Sequence, residues 1–140
     1  MPDHDFRCGD LLICVSRDYA SQLNIGGLIG IVMGTKPHHI RLWYETLKRS
    51  FWLTYDLLRK TDEAPSPLLK RIQTISYLLN AEEWELEETD KTCRLICYVD
   101  EVALETLEEL RVYMDIDYQN LSLFPEGMGR MIAQVDWLKP

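Results

Sequence analysis

The residues of this chain best suited to chemistry are four cysteines and three histidines, and their spacing speaks against both metal binding and nucleophilic catalysis. Cys93 and Cys97 lie inside the apolar run Cys93-Arg94-Leu95-Ile96-Cys97-Tyr98-Val99, which reads as a strand, whereas a zinc knuckle presents its paired thiolates from a turn. Completing a ligand set would draw on Cys8, Cys14, His38 or His39 from remote segments. The thiols are therefore expected to be free and to pack as small hydrophobes, with no metal. His38-His39 follows Pro37 with no Gly-x-Ser-x-Gly elbow, phosphate loop or Cys-His pair beside it, so the expectation is no enzyme and no cofactor. Asp115, Asp117 and Glu126 fall at calcium-loop spacing, but Gln119 and Asn120 stand where a ligand and the turn glycine belong, and Pro125 precedes the last carboxylate. A hairpin with solvated carboxylates is the expected reading.

Two charged constellations remain. In His39-Ile40-Arg41-Leu42-Trp43-Tyr44, strand alternation sets Arg41 and Trp43 on one face, and in Ser50-Phe51-Trp52-Leu53-Thr54-Tyr55 it sets Ser50, Trp52 and Thr54 on one face. With Lys48 and Arg49, and with Arg59 and Lys60 further on, this is an aromatic and basic platform. Tryptophan and arginine serve protein interfaces and single-stranded nucleic acid alike, so Arg41, Trp43, Lys48, Arg49 and Trp52 are the candidate partner-binding residues. A third reading has the second half of the chain cover this face. The other constellation is Glu82, Glu83, Glu85, Glu87 and Glu88, a carboxylate row interrupted by Trp84 and Leu86 at strand spacing. It could imitate a phosphate row, or it could be an edge strand that charge protects from pairing with other chains.

Charge divides the chain. Residues 1–60 carry eight Lys and Arg against six Asp and Glu, while residues 61–140 carry seven against seventeen, for a formal net charge of −8. Nucleic-acid binding rests on neutralising phosphates, so nucleic acid is not the expected partner and only the first half could touch it. The acidic start Met1-Pro2-Asp3-His4-Asp5 does not have the layout of a signal peptide, and no apolar run reaches the roughly 18 residues of a membrane span. Cytoplasmic synthesis and no membrane partner are expected.

The elements that must hold these residues are mostly strands. Gly9-Asp10 leads into an apolar strand, Asn24-Ile25-Gly26-Gly27 turns into Leu28-Ile29-Gly30-Ile31-Val32-Met33, and the hairpin described above follows Pro37. Leu68, Leu69, Ile72, Ile75, Leu78 and Leu79 recur at helical spacing after Ser66 and Pro67, predicting an amphipathic helix that Asn80 ends. Val102, Leu104, Leu107 and Leu110 suit a brief helix, with a return to strand over 111–116. Ile40 to Lys60 is echoed by Leu121 to Pro140, each copy a strand, a turn, a strand and an apolar-basic close.

The order Phe6-Arg7-Cys8-Gly9-Asp10-Leu11-Leu12, a loop, Gly27-Leu28-Ile29-Gly30-Ile31-Val32 and a hairpin closing on Asp56-Leu57-Leu58 resembles the SH3-like barrels of the KOW type, over residues 6–60. Many small proteins encoded by tailed phages look like this too. The resemblance implies a barrel that binds RNA or other proteins, and it carries no catalytic residue. The expected fold is mainly β: an SH3-like barrel over 1–60, then a linker, amphipathic helix and acidic segment over 61–92. A second β module follows over 93–140, a divergent repeat of the first. The expected function is a non-enzymatic structural or adaptor protein that docks on other copies or on a larger protein assembly such as a phage virion, in the particle or the host cytoplasm. The alternatives are an acidic inhibitor or regulator that blocks a nucleic-acid-binding host enzyme, and a small enzyme of unknown chemistry.

Overall fold

The computed structural model describes residues 5–100, 104–114, 121–127 and 130–139. The fold is mainly β, with two antiparallel sheets and three short helices among those residues. It divides into two compact units, residues 1–74 and 75–140. The division falls within a helix, beyond the Thr61–Ser66 segment where composition placed a boundary.

In the first unit, β1 (Leu11–Cys14), β2 (Ile29–Thr35), β3 (His39–Tyr44), β4 (Arg49–Thr54) and β5 (Leu58–Lys60) form a sheet in the order β4-β3-β2-β1-β5. A 3-10 turn at Tyr55–Leu57 bends the chain so that β5 returns to β1, with Leu12 beside Lys60. One face of this sheet is the core of the unit. Leu12, Val32, Ile40, Leu42, Tyr44, Leu53 and Leu58 are buried there together with Ala20 and Ile25. Alternation along the strands gives each of them an inward side chain. Gly30 is required by packing: a Cβ at this position would lie 2.5 Å from Leu42 Cγ and 3.1 Å from Tyr44 Cε1.

Between β1 and β2, where the sequence pattern predicts a loop, the chain forms a helix, α1 (Arg17–Leu23). Its ends are specified chemically. The Tyr19 amide donates to Ser16 Oγ at 3.3 Å, and Asn24 takes a left-handed conformation while the Ile25 amide donates to the Ala20 carbonyl at 2.9 Å. Those are an N-cap and a closing turn that satisfy orphan groups at each end of a short helix.

The predicted amphipathic helix is α2 (Pro67–Leu79). The Leu69 amide donates to Ser66 Oγ at 3.2 Å, Pro67 occupies the first turn, and Leu69, Ile72, Ile75 and Leu79 are buried along one stripe. Asn80, with φ of 50°, ends it, and the Ala81 amide closes on the Ser76 carbonyl at 2.9 Å.

In the second unit, β6 (Glu83–Glu88), β7 (Thr92–Val99), β8 (Leu121–Gly127) and β9 (Arg130–Leu138) form a sheet in the order β6-β7-β9-β8. Its inner face carries the buried Trp84, Cys93, Leu95, Cys97, Val99, Ala133 and Val135. The acidic segment is thus an edge strand of this sheet. α3 (Leu104–Met114) extends through Met114, four residues past the helix suggested by Leu110, and no strand begins at Arg111. Both halves of the sequence echo are antiparallel hairpins, β3–β4 and β8–β9, but the first continues into a 3-10 turn and a further strand while β9 runs straight to Leu138. The strand orders of the two sheets differ, so the echo is confined to one hairpin in each. Residues 115–120, with the calcium-loop spacing at Asp115, Asp117 and Gln119, lie outside the described residues.

Candidate functional site

The register of β3 with β4 divides the hairpin into two faces. Ile40 opposite Leu53, Leu42 opposite Phe51 and Tyr44, whose partner Arg49 is exposed, lie on the core face, and His39 opposite Thr54, Arg41 opposite Trp52 and Trp43 opposite Ser50 lie on the other, where Trp43 is buried in line with Ile31 and Leu11. The outward face therefore collects the polar and aromatic residues, because their partners in alternation are committed to the core.

Trp52 is 43% exposed, and Lys36 Nζ lies 4.4 Å from the centre of its ring. A cation over an indole face is held by the ring quadrupole, which here fixes both a charge and a large apolar plane at the surface. Beside it, Arg41 Nε donates to Ser50 Oγ at 2.9 Å, anchoring a half-buried guanidinium on the same face. Trp43 is only 7% exposed, and Lys48 Nζ lies 5.6 Å from its ring. Lys48 reaches that position from the hairpin turn, where its φ is 53°. Arg49 goes to the opposite face, its guanidinium carbon 4.7 Å from the Phe51 ring. Of the five candidate partner-binding residues, Arg41, Trp43, Trp52 and Lys48 are brought together and Arg49 is not.

Lys36 was not among the candidates. The Lys36 amide donates to the His39 carbonyl at 2.8 Å and the His39 amide to the Lys36 carbonyl at 3.4 Å, which closes the turn through Pro37 and lays Lys36 next to Trp52. The turn proline was the available signal. At this end of the hairpin Pro37, His38, Thr54, Tyr55 and Asp56 line an open hollow of about 450 Å³. Its wall is stiff, since Tyr55 Oη donates to the Lys36 carbonyl at 2.8 Å and the Tyr55 ring stacks on Phe6 with centroids 5.9 Å apart.

The five candidate acidic residues are dispersed by pairing. Glu88 takes a 2.9 Å ion pair from Lys139, Glu87 lies 3.9 Å from Arg94, and Arg94 is bound more closely by Asp136 at 2.9 Å. Glu82 lies 3.6 Å from Arg130, and its carboxyl is raised above the ordinary range, first by a hydrogen bond to the Asp100 carboxyl and then by burial. Glu83 and Glu85 are exposed on the outer face of β6. The row is therefore interleaved with cations, unlike a phosphate backbone.

Cys93 and Cys97 are buried on the inner face of β7, Cys8 Sγ donates to the Met33 carbonyl at 3.9 Å and Cys14 Sγ to the Ser16 carbonyl at 3.7 Å. Among the described residues no group of three or more His, Cys, Asp and Glu is placed to hold a metal ion, and no helix is long and apolar enough to cross a membrane. No protein-family model, curated protein or solved structure matches the chain. The outward face of the β3–β4 hairpin therefore stands as the candidate site on its own geometry.

Proposed function

We propose that this chain is a non-enzymatic structural or adaptor protein that binds another protein through the outward face of its β3–β4 hairpin. The observation that carries the reading is Trp52, a large aromatic held in solvent between Lys36 and the Arg41–Ser50 pair. Tryptophan and arginine are the residues that most often anchor protein interfaces, and an exposed tryptophan otherwise costs solubility without contributing to the core. The strand order β4-β3-β2-β1-β5, with a 3-10 turn before the last strand, supports reading the first unit as an SH3-like barrel. A component of a phage virion is the setting that the sequence resemblance implies for such an adaptor.

The test compares wild type with Trp52→Ser as immobilised baits for proteins of the native source, with thermal melting as the control for folding. A stoichiometric protein retained by wild type and lost by an equally stable Trp52→Ser supports the reading. Equal retention by the two baits refutes it.

A further inference from the structure

The hairpin face has a chemical complement on the same chain. The outward face carries Lys36 and Arg41 with Lys48 at the turn, while Arg49 lies on the opposite face, and the single carboxylate between residues 36 and 54 is Glu45. The outer face of the second sheet is acidic on balance: Glu87 and Asp136 share Arg94, Arg130 lies over the Tyr98 ring at 5.5 Å, and Glu83 and Glu85 stand at its β6 edge. Across its four strands Glu83 pairs with Tyr98, Tyr98 with Ile132, and Ile132 with Phe124, and alongside runs the row Glu85, Ile96, Gln134, Ser122. Glu83 and Glu85 are exposed at one end of these rows and Phe124, 44% exposed, stands at the other.

We infer that the partner of the hairpin face is a second copy of this chain, received on the outer face of its second sheet. Lys36 and Arg41 of one copy then meet Glu83 and Glu85 of the next, and Trp52 lies on Ile132 and the exposed Phe124, beyond the Tyr98 ring that Arg130 already covers. The inference rests on the hairpin reading above and names its occupant. Charge selects this arrangement over the symmetric ones. Hairpin against hairpin would set Lys36 and Arg41 against cations, and sheet against sheet would bring together two faces that are each acidic on balance, whereas the mixed contact sets a basic face against an acidic one beside an aromatic centre. At physiological salt the screening length is about 8 Å, so charges across a contact act on one another while the remote excess of the −8 net charge is damped. A contact between two different faces is heterologous, and each added copy exposes both faces again, so assembly continues into rings or filaments.

The experiment is sedimentation velocity over a hundredfold range of concentration, in 50 mM and 500 mM sodium chloride. Wild type is expected to form species larger than dimers that weaken at the higher salt. Arg41→Gln with Trp52→Ser removes one face and Glu83→Gln with Glu85→Gln removes the other; each variant alone is expected to be monomeric, associating at least about tenfold more weakly, which is about 1.4 kcal/mol. Their equimolar mixture is expected to yield a one-to-one dimer and nothing larger, because each protein supplies one intact face. Lys36→Gln with Trp52→Ser replaces the first variant if Arg41 proves necessary for folding. A wild type that is monomeric throughout, variants that still assemble, or a mixture that stays monomeric overturns the inference. A monomeric wild type whose capture of a different protein is lost in Trp52→Ser overturns the self-docking alone and leaves the adaptor reading standing. If that capture is also unaffected, both fall.

Discussion

Replacing Tyr44 by Phe should stabilise the protein, although it deletes a polar group from the centre of the first unit. Tyr44 is 1% exposed, its ring lies edge-on to Phe51 at 6.0 Å, and its hydroxyl has no hydrogen-bond partner. A buried hydroxyl without a partner costs about 1–3 kcal/mol of lost hydration. Phenylalanine keeps the ring and its contacts and leaves a void of one oxygen atom, so the net gain is about 1 kcal/mol, or a rise of roughly 3–5 °C in Tm for a chain of this size. The difference should depend on pH in one direction. Burial raises the Tyr44 hydroxyl well above its ordinary value of 10.0, with Cys14 adding to the effect. Above pH 10 the unfolded chain releases this proton and the folded one keeps it, so folding is weakened as pH rises, by about 1.4 kcal/mol per unit. Below pH 10 the hydroxyl is protonated in both states and contributes no slope. Urea denaturation of wild type and Tyr44→Phe at pH 7, 9, 10 and 11 checks both parts: the advantage of the variant should be constant to pH 9 and larger by about 1.4 kcal/mol at pH 11. A Phe variant less stable than wild type at pH 7, or a difference that stays flat through pH 11, refutes the reasoning.

Gly30→Ala should cost about 2–3 kcal/mol in denaturant titration, because its Cβ would meet Leu42 Cγ at 2.5 Å and the core has no room for Leu42 to retreat; a neutral Gly30→Ala would show that β2 and β3 can separate freely. Trp84→Ala, at a fully buried position of the second sheet, should cost about 3–5 kcal/mol, while Trp52→Ser on the exposed hairpin face should stay within about 0.5 kcal/mol of wild type. Equal losses at the two tryptophans would mean that Trp52 belongs to the core. Glu82→Gln should leave Tm unchanged or raised at pH 7 and lower it below pH 4. The raised carboxyl favours the folded state fully below its ordinary value near 4.5, and that advantage is lost as pH rises through its raised value and Glu82 becomes charged. A clear loss of stability at pH 7 would instead make the Arg130 ion pair the dominant contact of Glu82.

Alternation and capping made the hairpin and α2 legible. Arg41, Trp43, Ser50 and Trp52 share a face because the intervening residues are apolar and must enter the core, a pattern that no distant contact can reverse without moving the whole strand. Ser66, Pro67 and Asn80 bracket α2 because each satisfies or removes a specific orphan group at its end. α1 escaped notice for the opposite reason. Seven residues are too few to display a period, and its only buried side chain is Ala20, so Ser16 and Asn24 were the only signals it left. The acidic run is legible as an edge strand from Trp84 and Leu86, but its cation partners are not, since Lys139 and Arg130 are brought to it by sheet pairing across more than forty residues. Lys36 was missed because its place beside Trp52 depends on how tightly the turn closes around Pro37, which alternation does not specify.

Cys93 and Cys97 offer the second sheet a chemical record of its own opening. Both point inward from one strand, four residues apart, so their α-carbons are about 13 Å from one another. A disulfide needs roughly 4.4–6.8 Å, and the folded strand cannot supply it. Once β7 leaves the sheet and collapses, the same spacing becomes a short flexible loop that closes easily. An oxidant present during transient unfolding would then lock the chain into a form that cannot rebuild β7, turning a reversible fluctuation into permanent loss. The shelf life of this protein should accordingly depend on its redox environment as steeply as on temperature, with added reductant preserving it although the native fold contains no bond for a reductant to break.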